Sequence, residues 1–199
     1  MTFKPSDIDR VNNDFYDNAE SFDKIPFDDI LPGLIKKYGK GRDVLEIGSA
    51  TGVLAEWLVK LGYRVLCLEP ARKPAAQATA KGLSVQTVTI QNFQTQEQFD
   101  MIVAISSLIH VSKTELPEQI QKIAHFLRPQ GLFFVSFIEG NSEGLEDPTN
   151  KGKSRFFSRW SEQALDQLLS PYFDLVESHR INSKKMDRNF LLRVYSKKG

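Results

Sequence analysis

From Asp43 onward, short apolar β-rich runs alternate with segments whose apolar residues recur at helical spacing. That ordering predicts a parallel sheet with helices on both faces. The strands are expected at Asp43–Ile47, Arg64–Glu69, Ser84–Val88, Phe99–Ser106 and Gly131–Ile138. Met101-Ile102-Val103-Ala104-Ile105 and Leu132-Phe133-Phe134-Val135 are apolar at every position, which places these two strands mid-sheet, covered on both sides. Helices are expected near Gly52–Leu61, Arg72–Lys81 and Thr114–Leu127. The last carries Leu116, Ile120, Ile123, Ala124 and Leu127 at helical spacing, with Pro117 tolerable only in its first turn.

After Ile138 the order changes. A polar, glycine-containing stretch from Glu139 to Lys153 leads to an aromatic cluster of Phe156, Phe157 and Trp160, then to a helix near Ser161–Leu169 and strands at Phe173–His179 and Phe190–Ser196. The two strands read as an antiparallel hairpin closing one sheet edge, and the basic stretch Ile181–Asn189 between them as a solvated loop. Two more helical patterns precede the sheet. One lies around Asp14–Phe22, and the other puts Phe27, Ile30, Leu31, Leu34, Ile35 and Tyr38 on one face. The expectation is an α/β, doubly wound, mostly parallel seven-stranded sheet in a single domain over residues 1–199, with N-terminal helices (1–40) and a substrate-side loop (141–160).

Composition narrows the partners. Lys and Arg total 26 against 25 Asp and Glu, a formal net charge of +1, so nothing electrostatic recommends nucleic acid or an anionic membrane. A small-molecule substrate fits better. The only cysteine, Cys67, lies in the apolar run Val65-Leu66-Cys67-Leu68, which excludes an internal disulfide and suits a reducing compartment. The N-terminus lacks the apolar core of a signal peptide, and no apolar run approaches the roughly 20 residues needed to span a bilayer, so the expected location is the cytoplasm.

Chemistry concentrates at Val44-Leu45-Glu46-Ile47-Gly48-Ser49-Ala50-Thr51-Gly52, where a buried strand runs into a glycine-bounded turn that opens a helix. This is the local pattern of a nucleotide-binding βαβ unit, in which Gly48 and Gly52 allow close backbone approach and positive φ. Seventeen positions beyond Gly52, Glu69 ends the next strand, where a carboxylate can accept both hydroxyl protons of a ribose. Glu46, just before the turn, would repel a pyrophosphate and attract a cationic sulfonium or amino group. That preference disfavours a nicotinamide-dependent oxidoreductase.

Together these segments resemble the class I S-adenosylmethionine-dependent methyltransferases, with a Rossmann-like sheet. The turn is similar to their first signature motif, and Glu69 to their ribose-binding acid. Phe99 to His110 resembles the fourth-strand motif, and Leu127-Arg128-Pro129-Gln130-Gly131-Leu132 the helix-to-strand turn. Two positions depart from the pattern: Ala50 stands for the central glycine of the first motif and Gln130 for the first glycine of the later turn.

The resemblance implies S-adenosylmethionine as cofactor, S-adenosylhomocysteine as product and no metal. By resemblance, Gly48, Ser49, Ala50 and Gly52 would line the methionine portion, with Glu46 near its ammonium end and Glu69 on the ribose. Pro70 and the segment Gln91-Asn92-Phe93 would enclose adenine, with Asn92 on the exocyclic amine and Phe93 as apolar surface. The Ser106 carbonyl would face the amino group, and Tyr16 would cover the cofactor. His110, with an ordinary pKa near neutrality, is the candidate base should the acceptor need one. Arg155, Phe156 and Trp160 are candidate acceptor contacts, Arg155 pairing with a carboxylate or phosphate. A second reading is a degenerate member of the fold that binds the cofactor as a regulator or partner.

Overall fold

The computed structural model describes residues 4–18, 24–147, 152, 154–184 and 187–199. Its centre is the run of apolar residues that cannot be left facing water. β1 (Asp43–Ile47), β4 (Phe99–Ala104) and β5 (Leu127–Glu139) lie side by side in parallel, and their side chains alternate between two cores. Leu45, Ile47, Ile102, Ala104, Phe133 and Val135 face one core, with α5 (Leu116–Phe126) and α6 (Glu162–Leu169) packed over it. Val44, Met101, Val103, Leu132 and Phe134 face the other, covered by α2 (Leu31–Tyr38), α3 (Val53–Lys60) and α4 (Arg72–Ala80).

β2 (Arg64–Leu68) and β3 (Ser84–Gln86) extend the parallel sheet beyond β1. On the other side, β9 (Arg188–Lys197) runs antiparallel to β5, and β8 (Phe173–Ser183) antiparallel to β9. The seven strands expected from the sequence are therefore present as a doubly wound sheet with an antiparallel hairpin. Asp100 fastens its lower end: its carboxylate accepts from the Arg42 and Asp43 amides at 2.7 and 2.9 Å and from Arg128 at 2.7 Å, so one side chain joins the starts of β1, β4 and β5.

Two further strands bring the sheet to nine. β6 (Glu143–Glu146) and β7 (Arg155–Trp160) form an antiparallel ribbon in the segment expected to be a loop at 141–160. This corrects that expectation. β5 outruns β4, and its exposed edge at Ile138 and Glu139 takes up Arg159 and Trp160, while Ile138 pairs with Phe190 on its other edge. β7 thus continues the sheet where β4 has stopped, and the chain leaving β4 passes through a single 3-10 turn, Leu108–His110.

Other boundaries shift for local reasons. The hairpin strands reach Ser183 and Arg188, so most of the expected 181–189 loop is ladder, with residues 185–186 outside the described set. The helix expected at Asp14–Phe22 is instead α1 (Pro5–Asp17), begun by Pro5 in its first turn with Asp7 near the positive helix end; residues 19–22 lie outside the described set. Among the described residues no helix is long and apolar enough to cross a membrane.

Candidate active site

The carboxyl ends of β1, β2 and β4 open into a cavity of about 220 Å³. β1 delivers Glu46 and hands the chain to the turn at residues 48–52, whose amides close back on β2: Gly48 and Ser49 donate to the Leu68 carbonyl at 2.8 and 3.2 Å. Gly48, Ala50 and Gly52 all have positive φ, of 75°, 47° and 78°. At Gly48 a Cβ would also overlap the Cβ of Ser107, so its absence lets this turn meet the end of β4. Ala50 holds the left-handed conformation without being glycine, and its amide donates to Glu69 Oε2 at 2.8 Å.

Glu69 stands at the tip of β2, 6% exposed. Oε2 accepts from Ala50 and Oε1 from the Ala71 amide at 2.9 Å, which leaves each oxygen a second lone pair. Burial raises its pKa, and the Ala71 and Ala50 amides pull it back. Glu46, 5% exposed, is pushed up to about 8 by burial first and by the Glu69 charge second. At neutral pH it is therefore mostly protonated. Its neighbour Cys67 is a buried free thiol with a pKa raised by burial and by Glu46, and so is poorly nucleophilic.

The hydroxyls of Ser49 and Ser107 are buried in the same wall, and among the described residues neither has a hydrogen-bond partner other than the Cys67 thiol beside Ser49. Such hydroxyls beside paired carboxylates are the donor and acceptor set that the amino-acid end and ribose of S-adenosylmethionine require, so the residues present fit that group. Asp9, Glu46 and Glu69 line the cavity against a single lysine, Lys24. Such a wall is poorly suited to a pyrophosphate.

α1 roofs the cavity with Asp9, Asn12, Asn13 and Tyr16, a stripe at i, i+3, i+4 and i+7. The helix is attached by polar contacts. Asn12 Oδ1 accepts from the Phe156 amide at 2.9 Å, and Tyr16 Oη lies 2.7 Å from His110 Nε2. Hydrogen-bond direction follows from the partners. His110 Nδ1 is 2.6 Å from the Phe156 carbonyl, which can only accept, so Nδ1 bears the hydrogen and Nε2 accepts from Tyr16. The Tyr16 oxygen in turn accepts from Arg155 Nη1 at 3.1 Å.

This corrects the expectation of His110 as a base. Burial lowers its pKa to about 4, with the Arg155 charge adding to the drop against the Phe156 hydrogen bond. Its remaining lone pair already accepts from Tyr16.

Glu46, Gly48, Ser49, Ala50, Glu69, Pro70, Ser106, His110 and Tyr16 all line the cavity. Gly52 does not. It is the residue before α3, and a Cβ there would overlap Leu83 and crowd Ala78, so its role is packing. Asn92 and Phe93 also fall outside: Asn92 is exposed and bonds Thr89 Oγ1 at 3.2 Å, while Phe93 is buried edge-on against Phe126 at 5.3 Å. The segment turns one step earlier, and Val88, Thr89, Ile90 and Gln91 form the wall instead. Phe156 and Trp160 are buried away from the cavity, because strand alternation and the β7 ladder turn their rings inward; Trp160 joins the core of Leu165, Leu169 and Phe173. Arg155 is not part of the lining but bonds Tyr16, which is. Sequence reasoning missed Asp9, Asn12 and Asn13, whose polar stripe reads as a solvated helix face.

A family model described as a methyltransferase domain matches residues 20–178. A ubiquinone biosynthesis O-methyltransferase of Bradyrhizobium diazoefficiens is 28% identical over 107 residues, covering 51% of this chain and 42% of that protein. The chain thus aligns with less than half the length of this curated relative. Among solved structures, the 1,6-didemethyltoxoflavin-N1-methyltransferase of Burkholderia thailandensis superposes with TM-score 0.71 at 21% identity, over 84% of this chain and 76% of that one. The magnesium protoporphyrin IX methyltransferase of Synechocystis PCC 6803, with bound SAM, gives 0.72 at 14% identity over 98% and 99%. Both likenesses are of fold. Since the family model spans most of a chain whose doubly wound sheet with an antiparallel hairpin is the one that family has, the protein belongs to the class I S-adenosylmethionine-dependent methyltransferases.

Proposed function

We propose that this chain binds S-adenosylmethionine and transfers its methyl group to a small-molecule acceptor. The observation that carries the reading is the Glu46 and Glu69 pair beside the turn at residues 48–52, with the buried Ser49 and Ser107 hydroxyls in the same wall. The cofactor, when bound, supplies an electrophilic methyl on a positively charged sulfur. Glu69 would accept the ribose hydroxyls through its remaining lone pairs, and Glu46, giving up its proton, would face the ammonium group. Pro70 and Val88 to Gln91 would flank adenine in place of Asn92 and Phe93. The Ser106 backbone, held at φ 54° with its amide on Ser136 Oγ at 2.8 Å, turns the chain into the cavity at the methionine end.

α1, with Tyr16 at its last turn, closes the roof and excludes water, so that the chain contributes chiefly alignment and a dry site. His110 holds Tyr16 rather than taking a proton from the acceptor. A small acceptor is supported by the roofed cavity and by the near-neutral net charge of +1. We place the enzyme in the cytoplasm, a location supported by the reduced, buried Cys67.

Calorimetry with S-adenosylmethionine, S-adenosylhomocysteine and NAD tests the proposal. Binding of both sulfur nucleosides and not of NAD is expected. Failure of both to bind would sink it.

A further inference from the structure

Arg155, the first residue of β7, is half-buried and has no carboxylate within 4 Å among the described residues. Its cross-strand partner in the ladder is Glu146, yet that carboxylate turns away. Both Glu146 oxygens are engaged by Arg159, and Arg188 approaches one of them at 3.7 Å. One acid thus serves two guanidinium groups, and the third is left without a counter-ion. Tyr16 cannot supply one, because its proton is committed to His110.

The surroundings of Arg155 hold the cation without answering its hydrogen-bonding capacity. The rings of Phe15, Phe157 and Tyr16 lie 4.2, 4.9 and 5.7 Å from the guanidinium carbon, within cation–π range. Nη1 donates to Tyr16 Oη, whereas Nε is buried with no partner among the described residues. A ring face does not replace a lone pair for an N–H taken out of water, and a planar guanidinium with donors in hand matches a carboxylate in two-pronged fashion. The group stands one hydrogen bond behind Tyr16 and beside His110, both of which line the cavity.

We infer that Arg155, pre-set by its aromatic enclosure and by Tyr16, is the receptor for a ligand carboxylate at the α1 end of the cavity. The inference rests on the proposed function, since it takes the ligands of that cavity to be the cofactor and the methyl acceptor. The carboxylate comes from one of two sources: the methionine portion of the cofactor, or the acceptor itself.

Calorimetry on the intact protein and on Arg155→Gln decides both points. The first probes are S-adenosylhomocysteine and 5′-methylthioadenosine, which lacks the amino-acid portion. The second are benzoate, 4-hydroxybenzoate and phenylacetate against their primary amides, added to protein saturated with S-adenosylhomocysteine. If the cofactor is the source, Arg155→Gln weakens S-adenosylhomocysteine at least tenfold and leaves methylthioadenosine unchanged. If the acceptor is the source, S-adenosylhomocysteine affinity is unchanged, at least one acid binds the intact protein tenfold tighter than its amide, and the variant loses that preference.

Arg155→Lys, which keeps the charge and loses the two-pronged fork, should fall between the two and serves if the Gln variant fails to fold. Unchanged S-adenosylhomocysteine affinity in the variant, together with no acid-over-amide preference in the intact protein, overturns the inference. Failure of the intact protein to bind either nucleoside overturns the proposed function, and this inference with it.

Discussion

Replacing Glu46 by Gln should stabilise the empty protein while damaging its binding site. In the unfolded chain this carboxyl ionises near 4.5, whereas in the folded protein burial and Glu69 hold its pKa at about 8. Folding at pH 7 must therefore take up a proton, at a cost of about 1.4 kcal/mol for each of the 2.5 pH units between 4.5 and 7, about 3.5 kcal/mol, brought slightly lower, to about 3.4 kcal/mol, by the roughly one-tenth of the folded carboxyl that is ionised at that pH. The sign follows from linkage. The folded state binds more protons than the unfolded one between pH 4.5 and 8, so the penalty is absent below that window, grows through it and is constant above it. Glutamine keeps the shape and one acceptor oxygen but never ionises, so the advantage of the variant should open from near zero at pH 4.5 to about 3.4 kcal/mol at pH 7, on the order of 10 °C in melting temperature.

Urea unfolding of both proteins at pH 4.5, 6 and 7.5 measures that gap directly, because the contributions of other titrating groups cancel between them. Calorimetry with S-adenosylhomocysteine gives the opposite arm. Intact protein should release a proton on binding and bind about tenfold tighter per pH unit between 6 and 7, as Glu46 ionises against the incoming ammonium; the variant should bind more weakly with no such slope. Parallel pH–stability curves for the two proteins would refute the account of Glu46 as a proton held in reserve.

Further predictions concern the rest of the site and its frame. Glu69→Ala should weaken S-adenosylhomocysteine at least tenfold by calorimetry, the order expected when charge-assisted hydrogen bonds worth about 1.5–3 kcal/mol are lost; unchanged affinity with an intact fold removes Glu69 from the site. Gln130, exposed and at φ 62°, should be improved by glycine: Gln130→Gly relieves about 1–2 kcal/mol of left-handed strain against about 0.5–1 kcal/mol of added chain entropy, and a lower melting temperature would count against it. Burial raises the pKa of Asp100, but the Asp43 amide, Arg128 and the Arg42 amide bring it below the usual carboxylate value, so it stabilises the fold above that value and the gain is lost as pH falls. Asp100→Ala should cost about 2–3 kcal/mol in urea unfolding at pH 7 and less in strong acid; an equal loss at both pH values would show that the hydrogen bonds are not the cause.

Seven of the nine strands and the glycine turn are legible in the residues alone. Apolar runs such as 101–105 and 132–135 can be covered only at the centre of a doubly wound sheet, and they occupy β4 and β5 beside β1. Glu46, Gly48 and Glu69 were equally legible, because their spacing is fixed by one strand, one turn and one helix, all local in the chain. Position 50 was marked in the same way: an alanine at φ 47° sits where the pattern favours glycine.

Tertiary structure decided what depends on distant partners. Whether Phe156 and Trp160 meet a ligand or the core turned on Arg155–Trp160 becoming a strand, and that required the overhanging edge of β5 to receive it. The hydrogen-bond state of His110 turned on a carbonyl 46 residues away and a tyrosine 94 residues away, which together fix its tautomer, while burial by the fold keeps it neutral. Asn12 is a polar residue of no evident pattern until α1 is laid on β7, and Arg155, marked in the sequence as an acceptor contact, is joined to Tyr16 only by that packing. Local spacing can write a turn into a sequence, but the charge and hydrogen-bond state of a buried group belong to neighbours that only the fold brings near.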